Sequence, residues 1–408
     1  MLLLHNQNQM TIMQKTSNKH QGISVSELLI VIPDSELVRL ATETNVDHYS
    51  KVLYGRSVFY MLLMGLLSSE RASLRILEDM FNRKGFKTMF NIDMSKTVKY
   101  NSISERLDVM DVEFFEKVFE LFYDRMSQLY SEEEMLSQKI VRVDSTMVSE
   151  TSKKLVEGMC VGCKKDGKKQ TKYTVAFDGI FPCGVEVFSE PSDLSEDRTI
   201  PKVVLKCAEK YKGKIFAFDR GVQKRGTFEE LNRKEIEFVC RLNENRRREV
   251  VRTIETGNGR RIGSLFLVSD EEVRIFGDKS KKPSKETFRL ITTVNDEGNQ
   301  YLFLTNVFDL LPEIIVLFYR KRWDIEVFFR FLKQELNFSH FFSTKANGIK
   351  IILYMTLILS MLILIYKRKN NLGFKTAKRR FMYELDWLLT RIIVHLCGGK
   401  DPEIVLRI

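Results

Sequence analysis

The sequence predicts an α/β core with a β-strand-rich insertion, a helical N-terminal region and a helical C-terminal tail. Apolar residues recur every three to four positions over residues 25–130, which is the period of an amphipathic helix. Over residues 140–242, short apolar runs alternate with helical patterns, and this order is typical of α/β folds. Residues 243–306 are strand-rich and basic, with glycines at the expected turns.

The length and composition favour a folded protein with two or three structural units. The chain has 408 residues, 44% of them hydrophobic, and a net charge of +11, which favours a polyanionic partner such as nucleic acid. Its six cysteines are scattered, so we expect reduced thiols. Cys160 and Cys163 form only half of a zinc motif, and the histidines form no tight cluster.

Neither terminal region predicts secretion or a membrane anchor. Residues 1–21 are polar, are expected to be disordered, and contain no basic segment followed by an apolar one, so we expect no signal peptide. The apolar run 351–366 has about 16 residues, whereas a membrane span needs about 20. A buried core helix is the favoured interpretation, and a membrane protein is the alternative. Residues 367–408 read as a basic helical tail.

The helical region 22–135 is a candidate for DNA binding. Residues 101–107 can open the second helix of a helix-turn-helix, with Ser102 or Ser104 as its N-cap. The alternative is an ordinary helical bundle.

Two aspartates are predicted to end strands of the α/β core. Residues 140–143 form a short strand that ends at Asp144, and the buried strand 214–218 ends at Asp219. The remaining predicted elements are a hairpin of residues 172–177 and 185–188, helices 200–211 and 228–233, and a strand at 235–242.

Residues 318–336 contain no proline or glycine and predict one continuous helix with two contrasting faces. At about 100° per residue, the polar side chains share one face roughly 80° wide. These are Tyr319, Arg322, Glu326, Arg330 and Lys333. The apolar side chains fall opposite them: Phe318, Ile325, Phe328, Leu332 and Leu336. A carboxylate among cations suits a site that holds a metal ion beside phosphates, although a solvated face with ion pairs four residues apart shows the same pattern.

Asp144, Asp219 and Glu326 can converge at the carboxyl edge of the sheet, where sites in α/β folds tend to lie. Converging carboxylates need a cation, and ligands that are all oxygen select Mg²⁺ or Mn²⁺. Two such ions can clamp the attacking and leaving oxygens of a phosphodiester. Arg220, directly after the second aspartate, can orient it, contact DNA or form a surface ion pair.

These residues together resemble the insertion-sequence-four family of bacterial DDE transposases. The resemblance rests on Asp144-Ser145-Thr146, Asp219-Arg220-Gly221 and the spacing of Tyr319, Arg322, Glu326 and Lys333. It implies a ribonuclease H-like catalytic domain over residues 136–366, with a β insertion at about 243–306. It also implies a metal triad of Asp144, Asp219 and Glu326 that holds two Mg²⁺ or Mn²⁺ ions. Tyr319, Arg322 and Lys333 are implied as ligands of the transposon-end phosphates, and the face they share adds Arg330 as a DNA-contact candidate.

The resemblance also implies a reaction and its partners. A cytoplasmic homodimer would hold two transposon ends in a synaptic complex at the bacterial nucleoid, cut them through a DNA hairpin and join them to target DNA. Some relatives hold a flipped base against an aromatic side chain of the β insertion. The candidates here are Phe266, Phe276, Phe288 and Tyr301, each with core packing as the alternative. The rival functions are a nuclease without strand transfer and a non-catalytic DNA-binding protein.

Overall fold

The computed structural model describes residues 22–31, 33–67, 72–130, 139–149, 155, 158–160, 169–257, 259–277, 282–338 and 342–400. The segment 1–21, expected to be disordered, and Cys163 lie outside these residues. The chain divides into two compact units. One is Ser104–Leu357, and the other combines Met1–Ile103 with Ile358–Ile408.

The helices among the described residues are α1 (Val25–Ile30), α2 (Asp34–Glu43), α3 (Gly55–Leu67), α4 (Leu74–Asn82), α5 (Lys84–Met89), α6 (Tyr100–Val109), α7 (Val112–Ser127), α8 (Glu196–Lys210), α9 (Arg225–Arg233), α10 (Pro312–Arg320), α11 (Asp324–Glu335), α12 (Ala346–Lys369) and α13 (Phe374–Leu396). The strands are β1 (Ile140–Ser149), β2 (Gln170–Phe177), β3 (Pro182–Phe188), β4 (Ile215–Phe218), β5 (Phe238–Leu242), β6 (Arg248–Thr256), β7 (Arg261–Ile262), β8 (Leu265–Ile275), β9 (Phe288–Asn295) and β10 (Gln300–Thr305). Short 3-10 helices span Pro191–Leu194 and Lys321–Trp323.

One mixed sheet organises the unit Ser104–Leu357. Its order is β3-β2-β1-β4-β5-β10-β9-β8-β6, with β7 pairing to β8. Strands β1, β4 and β5 are parallel, and the remaining pairs are antiparallel. The predicted insertion is therefore strand-rich as expected, but its strands extend the sheet of the α/β core from β5 through β10 rather than forming a separate sheet.

The central strands are buried on both faces, which explains their continuous apolar sequences. All four residues of β4 are buried, and Ile215 and Ala217 pack in one core cluster with Val239 of β5 and Ile315 of α10. The predicted hairpin is confirmed as β2 and β3. Helix α8 begins at Glu196, earlier than predicted, and buries Ile200, Val203 and Val204 along one face.

Asp144 does not end a strand, so that part of the prediction is wrong. Strand β1 continues to Ser149 because it pairs with β2 as far as Ser149 opposite Gln170. Its parallel pairing with β4, however, stops where Val143 meets Phe218. Asp144 is thus the first residue beyond the parallel pairing, and Asp219 is the first residue after the neighbouring strand.

The predicted single helix over residues 318–336 is also wrong in one respect. A 3-10 turn at Lys321–Trp323 separates α10 from α11. A 3-10 turn advances about 120° per residue instead of about 100°, so three residues rotate the later side chains by roughly 60°. The apolar face is nevertheless confirmed, because Ile325, Phe328 and Leu332 are buried, and Phe328 stacks on Phe177.

Helices dominate the other unit, as predicted. Helix α1 starts with a capping box between Ser24 and Glu27, and α13 packs against α1 and α5. The expected cap positions Ser102 and Ser104 are wrong, since α6 starts at Tyr100 and contains both of them.

Helix α12 contains the apolar run that composition left open to a membrane interpretation. It is the one helix in the described part of the chain that is long and apolar enough to cross a bilayer. Of its most apolar window, 89% is buried inside the protein. This burial confirms the prediction of a core helix.

Candidate active site

The two aspartates lie where the neighbouring strands β1 and β4 stop pairing in parallel, and each is oriented by the backbone that follows it. An oxygen of the Asp144 carboxylate accepts a hydrogen bond from the Ser145 amide at 2.7 Å. Asp219 accepts one from the Gly221 amide, also at 2.7 Å. Local bonds of this kind leave the second carboxylate oxygen of each residue available for another ligand.

Arg322 connects Asp144 with Glu326. Its Nη2 lies 2.7 Å from Oε1 of Glu326, and its Nη1 lies 3.5 Å from Oδ2 of Asp144. Only 14% of the Arg322 side chain is exposed, so these interactions are partly shielded from water. The 3-10 turn carries Arg322, and the first turn of α11 carries Glu326. The structure therefore brings a strand residue and a helix residue to one guanidinium.

The pKa of the Asp144 carboxyl is raised above its ordinary value. Burial raises the pKa of Asp144 to about 6, and the negative charges of Asp219 and Glu326 add to the increase. The Ser145 amide and Arg322 act in the opposite direction without cancelling it. Asp219 and Glu326 are therefore close enough to oppose the ionisation of Asp144, as neighbouring like charges do.

Glu196 is a fourth carboxyl at this site that the sequence analysis did not identify. It lies at the start of α8. Burial is the main cause that raises the pKa of Glu196 to about 8, and a hydrogen bond with Asp219 adds to the increase. Glu196 packs closely against Gly221, because a Cβ atom on that glycine would collide with Glu196 Oε2. An acidic residue at a helix N-terminus is common, so no sequence signal distinguished Glu196 from an ordinary helix-start residue.

Cations and a phenol surround the carboxylates. Lys333 Nζ lies 2.6 Å from the Thr146 hydroxyl on β1, which places the lysine beside Asp144. The Tyr319 ring packs 5.2 Å from the Phe303 ring, and the Arg322 guanidinium lies 5.9 Å from the centre of the Tyr319 ring. Burial raises the pKa of Tyr319 to about 12, so the phenol stays a hydrogen-bond donor at neutral pH.

Arg241 on β5 is a further basic residue near this group. Its positive charge opposes the increase in the Tyr319 pKa, and its guanidinium lies 4.6 Å from the Tyr301 ring centre. Its buried Nε has no hydrogen-bond partner among the described residues. The sequence analysis did not identify Arg241, because a single arginine within a predicted strand is not distinctive.

The structure does not bring Arg330 and Arg220 into the carboxylate group. Both side chains are exposed, and the described residues offer neither guanidinium an ion pair. The surface ion pair considered for Arg220 is therefore not formed within the described part of the chain. Asp219 is oriented by the Gly221 amide instead.

The aromatic candidates for base stacking separate into two classes. Phe288 is fully buried, so its alternative role in core packing is confirmed. Phe266, Phe276 and Tyr301 are each faced by an arginine, at 5.6, 4.6 and 4.6 Å from the respective ring centres.

Comparison with known proteins identifies the family. The model of the transposase DDE domain matches residues 136–362, more than half of the chain. The chain belongs to the transposase DDE domain family.

Two transposases resemble parts of this DDE protein. A putative transposase of Sinorhizobium fredii is 27% identical over 164 residues, which are 39% of this chain and 44% of the relative. A probable transposase for an insertion sequence element of Geobacillus stearothermophilus is 33% identical over 113 residues, 26% of this chain and 30% of the relative. The chain thus spans less than half the length of the curated relatives it matches.

One solved structure resembles the chain at low similarity. It is a cryo-EM structure of a piggyBac transposase synaptic complex with hairpin DNA, with a TM-score of 0.46 and 10% identity. The match covers 92% of this chain and 81% of that one.

The DDE family normally uses divalent metal ions, and the donor set here has the appropriate chemistry. Asp144, Asp219 and Glu326 offer only carboxylate oxygens, and their mutual repulsion is what a cation would relieve. Among the described residues, however, no three His, Cys, Asp or Glu side chains already form a group that could hold an ion. The residues therefore fit a metal by charge and donor type, while Arg322 occupies the space between two of them.

Proposed function

We propose that this protein is a DNA transposase of the insertion-sequence-four type that cuts at the inverted-repeat ends of an insertion sequence and joins them to target DNA. The observation that carries the proposal is the bridge from Arg322 to Asp144 and Glu326, with Asp219 close enough to raise the Asp144 pKa. Membership of the DDE family and the Tyr319, Arg322, Glu326 and Lys333 spacing support the same conclusion.

The order of the first five strands supports a ribonuclease H-like core. Strands β1, β4 and β5 run parallel at the centre, and β2 and β3 extend that sheet as an antiparallel hairpin. We assign residues 136–366 to the catalytic domain, with the helical region 22–135 as a DNA-binding region and residues 367–408 as a basic tail.

Asp144, Asp219 and Glu326 would hold two Mg²⁺ or Mn²⁺ ions. Bound ions would supply Lewis-acid chemistry for phosphodiester hydrolysis and transfer. The chain's own contribution is to position these carboxylates, with the Ser145 and Gly221 amides fixing two of them. Glu326 would have to leave Arg322 to join them, which would free the Arg322 guanidinium to bind a DNA phosphate.

The basic side chains would then bind the transposon end. A released Arg322 can fork onto a phosphate, whereas Lys333 acts as a point charge from its position beside Thr146. Tyr319 keeps its proton and can donate one hydrogen bond to a phosphate oxygen. Arg330 and Arg220, both exposed, would contact DNA farther from the reacting bond.

The resemblance to the insertion-sequence-four family also supports a cut-and-paste route through a hairpin. The released 3′-hydroxyl would attack the opposite strand, the hairpin would be reopened, and the same end would attack target DNA. A homodimer holding two ends in a synaptic complex completes this proposal.

The test is cleavage of duplex DNA carrying the element's ends, in the presence of Mg²⁺. Asp219→Ala and Glu326→Ala should each lose nearly all cutting, whereas Asp296→Ala, which removes an exposed aspartate in the β9–β10 turn, should cut like the parent. Cutting by either site variant at the parental rate would overturn the proposal. Failure to join precleaved ends to target DNA would indicate a nuclease, and DNA binding without Mg²⁺-dependent turnover would indicate a non-catalytic protein.

A further inference from the structure

The 3-10 turn that carries Arg322 is held by a buried arginine on another element. Arg142 lies on β1, two residues before Asp144, and only 2% of its side chain is exposed. Its Nε donates to the Lys321 carbonyl at 3.1 Å, and its Nη2 donates to the Asp324 carboxylate at 3.0 Å. One guanidinium therefore binds both sides of the turn Lys321–Trp323.

The same guanidinium is anchored on its other side to the sheet. Its Nη1 donates to the carbonyls of Ile140 and Asp178, each at 2.7 Å. Gly179 packs against the guanidinium on this side, since a Cβ atom there would come within 2.6 Å of Arg142 Nη1. Its φ of +103° is also one that favours glycine. The guanidinium thus has almost no freedom to move, which is the condition for a side chain that must fix the position of another element.

A second layer of hydrogen bonds holds the turn that presents the Asp178 carbonyl. The Asp178 carboxylate is fully buried and accepts bonds from the Tyr123 and Tyr130 hydroxyls, each at 2.9 Å. It also accepts bonds from the amides of Ile180 and Phe181, each at 2.8 Å. Arg142 is therefore attached to a rigid support rather than to a mobile loop.

We propose that Arg142 and Asp324 are a positioning pair that sets Arg322 and Glu326 in register with Asp144. This inference rests on the proposed function, since it assigns a role in assembling that site. Arg142 and Asp144 share one strand, while Arg322 lies within the short turn and Asp324 directly follows it. The pair therefore ties the Arg322 turn to the strand of the first catalytic aspartate.

Asp324 gives a cleaner test than Arg142, because 48% of the Asp324 side chain is exposed and the guanidinium keeps its bonds to the Ile140, Asp178 and Lys321 carbonyls when Asp324 is replaced. The Asp324→Asn variant should lower the kcat for cutting transposon-end DNA about tenfold while changing the KM for DNA less than about twofold, because only the arrangement of reacting groups is disturbed. Asp324→Glu, which keeps the charge, should recover part of the loss. Asp296→Asn removes an exposed negative charge elsewhere and should have no effect.

Coupling to Arg322 separates positioning from a general loss of stability. If the pair acts through Arg322, the kcat loss from Asp324→Asn should shrink to less than about threefold in an Arg322→Lys background. Additive losses in the double variant, or a parental kcat for Asp324→Asn, would overturn the proposal.

A fluorescence measurement tests the pair without any reaction. The chain has two tryptophans, so Trp387→Phe leaves Trp323, which lies inside the turn and is 54% exposed, as the single reporter. All proteins compared carry Trp387→Phe. Time-resolved anisotropy should show a larger fast component from Trp323 when Asp324→Asn is added than in the Trp387→Phe protein alone or with Asp296→Asn added. An unchanged fast component would show that the pair does not hold the turn. Absence of DNA cutting in the parent would instead count against the proposed function alone.

Discussion

The Arg322 guanidinium lies 3.5 Å from the Asp144 carboxylate, although the two residues belong to distant parts of the sequence. The same guanidinium is 2.7 Å from Glu326. Arg322 therefore lies between two of the carboxylates that are proposed to hold a divalent cation. Under the proposed function, the arginine would compete with the metal as well as bind a DNA phosphate.

Removing the Arg322 charge should therefore change metal and DNA affinity in opposite directions. Arg322→Gln should bind Mn²⁺ roughly tenfold more tightly, because about 1.4 kcal/mol of competing charge interaction is a factor of ten. Its affinity for transposon-end DNA should fall by a similar factor. Electron paramagnetic resonance of free Mn²⁺ and fluorescence anisotropy of labelled DNA measure the two effects. Arg330→Gln, the same charge change on an exposed position of α11, should leave Mn²⁺ affinity unchanged, and a weaker Mn²⁺ affinity in Arg322→Gln would contradict the competition.

The carboxyl of Glu196 should make the metal-free protein less stable as the pH rises. The pKa of Glu196 increases from an ordinary 4.5 to about 8 on folding, so the folded state binds a proton that the unfolded chain has lost. Stability should therefore fall between about pH 4.5 and pH 8 and level off above that range. Denaturant titrations at several pH values measure this slope. Glu196→Gln should reduce the slope between about pH 6 and pH 8, above the raised pKa of Asp144, whereas Glu297→Gln in the exposed β9–β10 turn should not. Equal slopes in all three proteins over this range would contradict the assignment.

Gly179 should tolerate no side chain. At φ +103° an alanine is strained, and its Cβ would also meet the buried Arg142 guanidinium, so Gly179→Ala should lower the free energy of unfolding by at least about 3 kcal/mol. Gly213 has φ +71° with open space around the position of a Cβ, so Gly213→Ala should cost only about 1 kcal/mol of backbone strain. Urea denaturation compares the two. Similar costs at both positions would mean that contact with Arg142 adds nothing.

The salt dependence of DNA binding tests both Lys333 and Arg330 as phosphate ligands. Each phosphate contact that is removed should reduce the slope of log affinity against log salt concentration by about one. Lys333→Ala and Arg330→Ala should both show this reduction with transposon-end DNA. Lys234→Ala, at a lysine paired with Glu230 at the end of α9 in the proposed catalytic domain, should leave the slope unchanged. An unchanged slope for Arg330→Ala would remove that residue from the interface.

Helical period and strand patterns predicted most of the local structure, because they follow from which side chains each element must bury. The hairpin β2–β3, the buried strand β4 and the apolar face of α11 all came from this reasoning. The carboxyl-edge argument likewise predicted Asp144, Asp219 and Glu326, and in the structure the latter two are close enough to raise the pKa of Asp144. Their roles in metal binding and catalysis stay predictions.

Long-range contacts were beyond the reach of sequence patterns. Glu196 looked like an ordinary helix-start residue until the fold placed it against Asp219. The helix predicted as continuous over 318–336 is interrupted at the turn where Arg142, distant in sequence, donates to the Lys321 carbonyl and the Asp324 carboxylate. The helix and strand propensities of nearby residues do not depend on such long-range contacts, so they predict neither of them.

The sequence by itself determined the types of element, the candidate residues Asp144, Asp219 and Glu326, and the spacing that carries the family resemblance. These depend on short-range periodicity and on the chemistry of individual side chains. Only the tertiary structure decided the partners: Arg322 between two carboxylates, Glu196 on Asp219 and Arg142 beneath the turn. The physical reason is that such pairings depend on which strands and helices become neighbours, and that is settled by burying the whole sheet and its helices together.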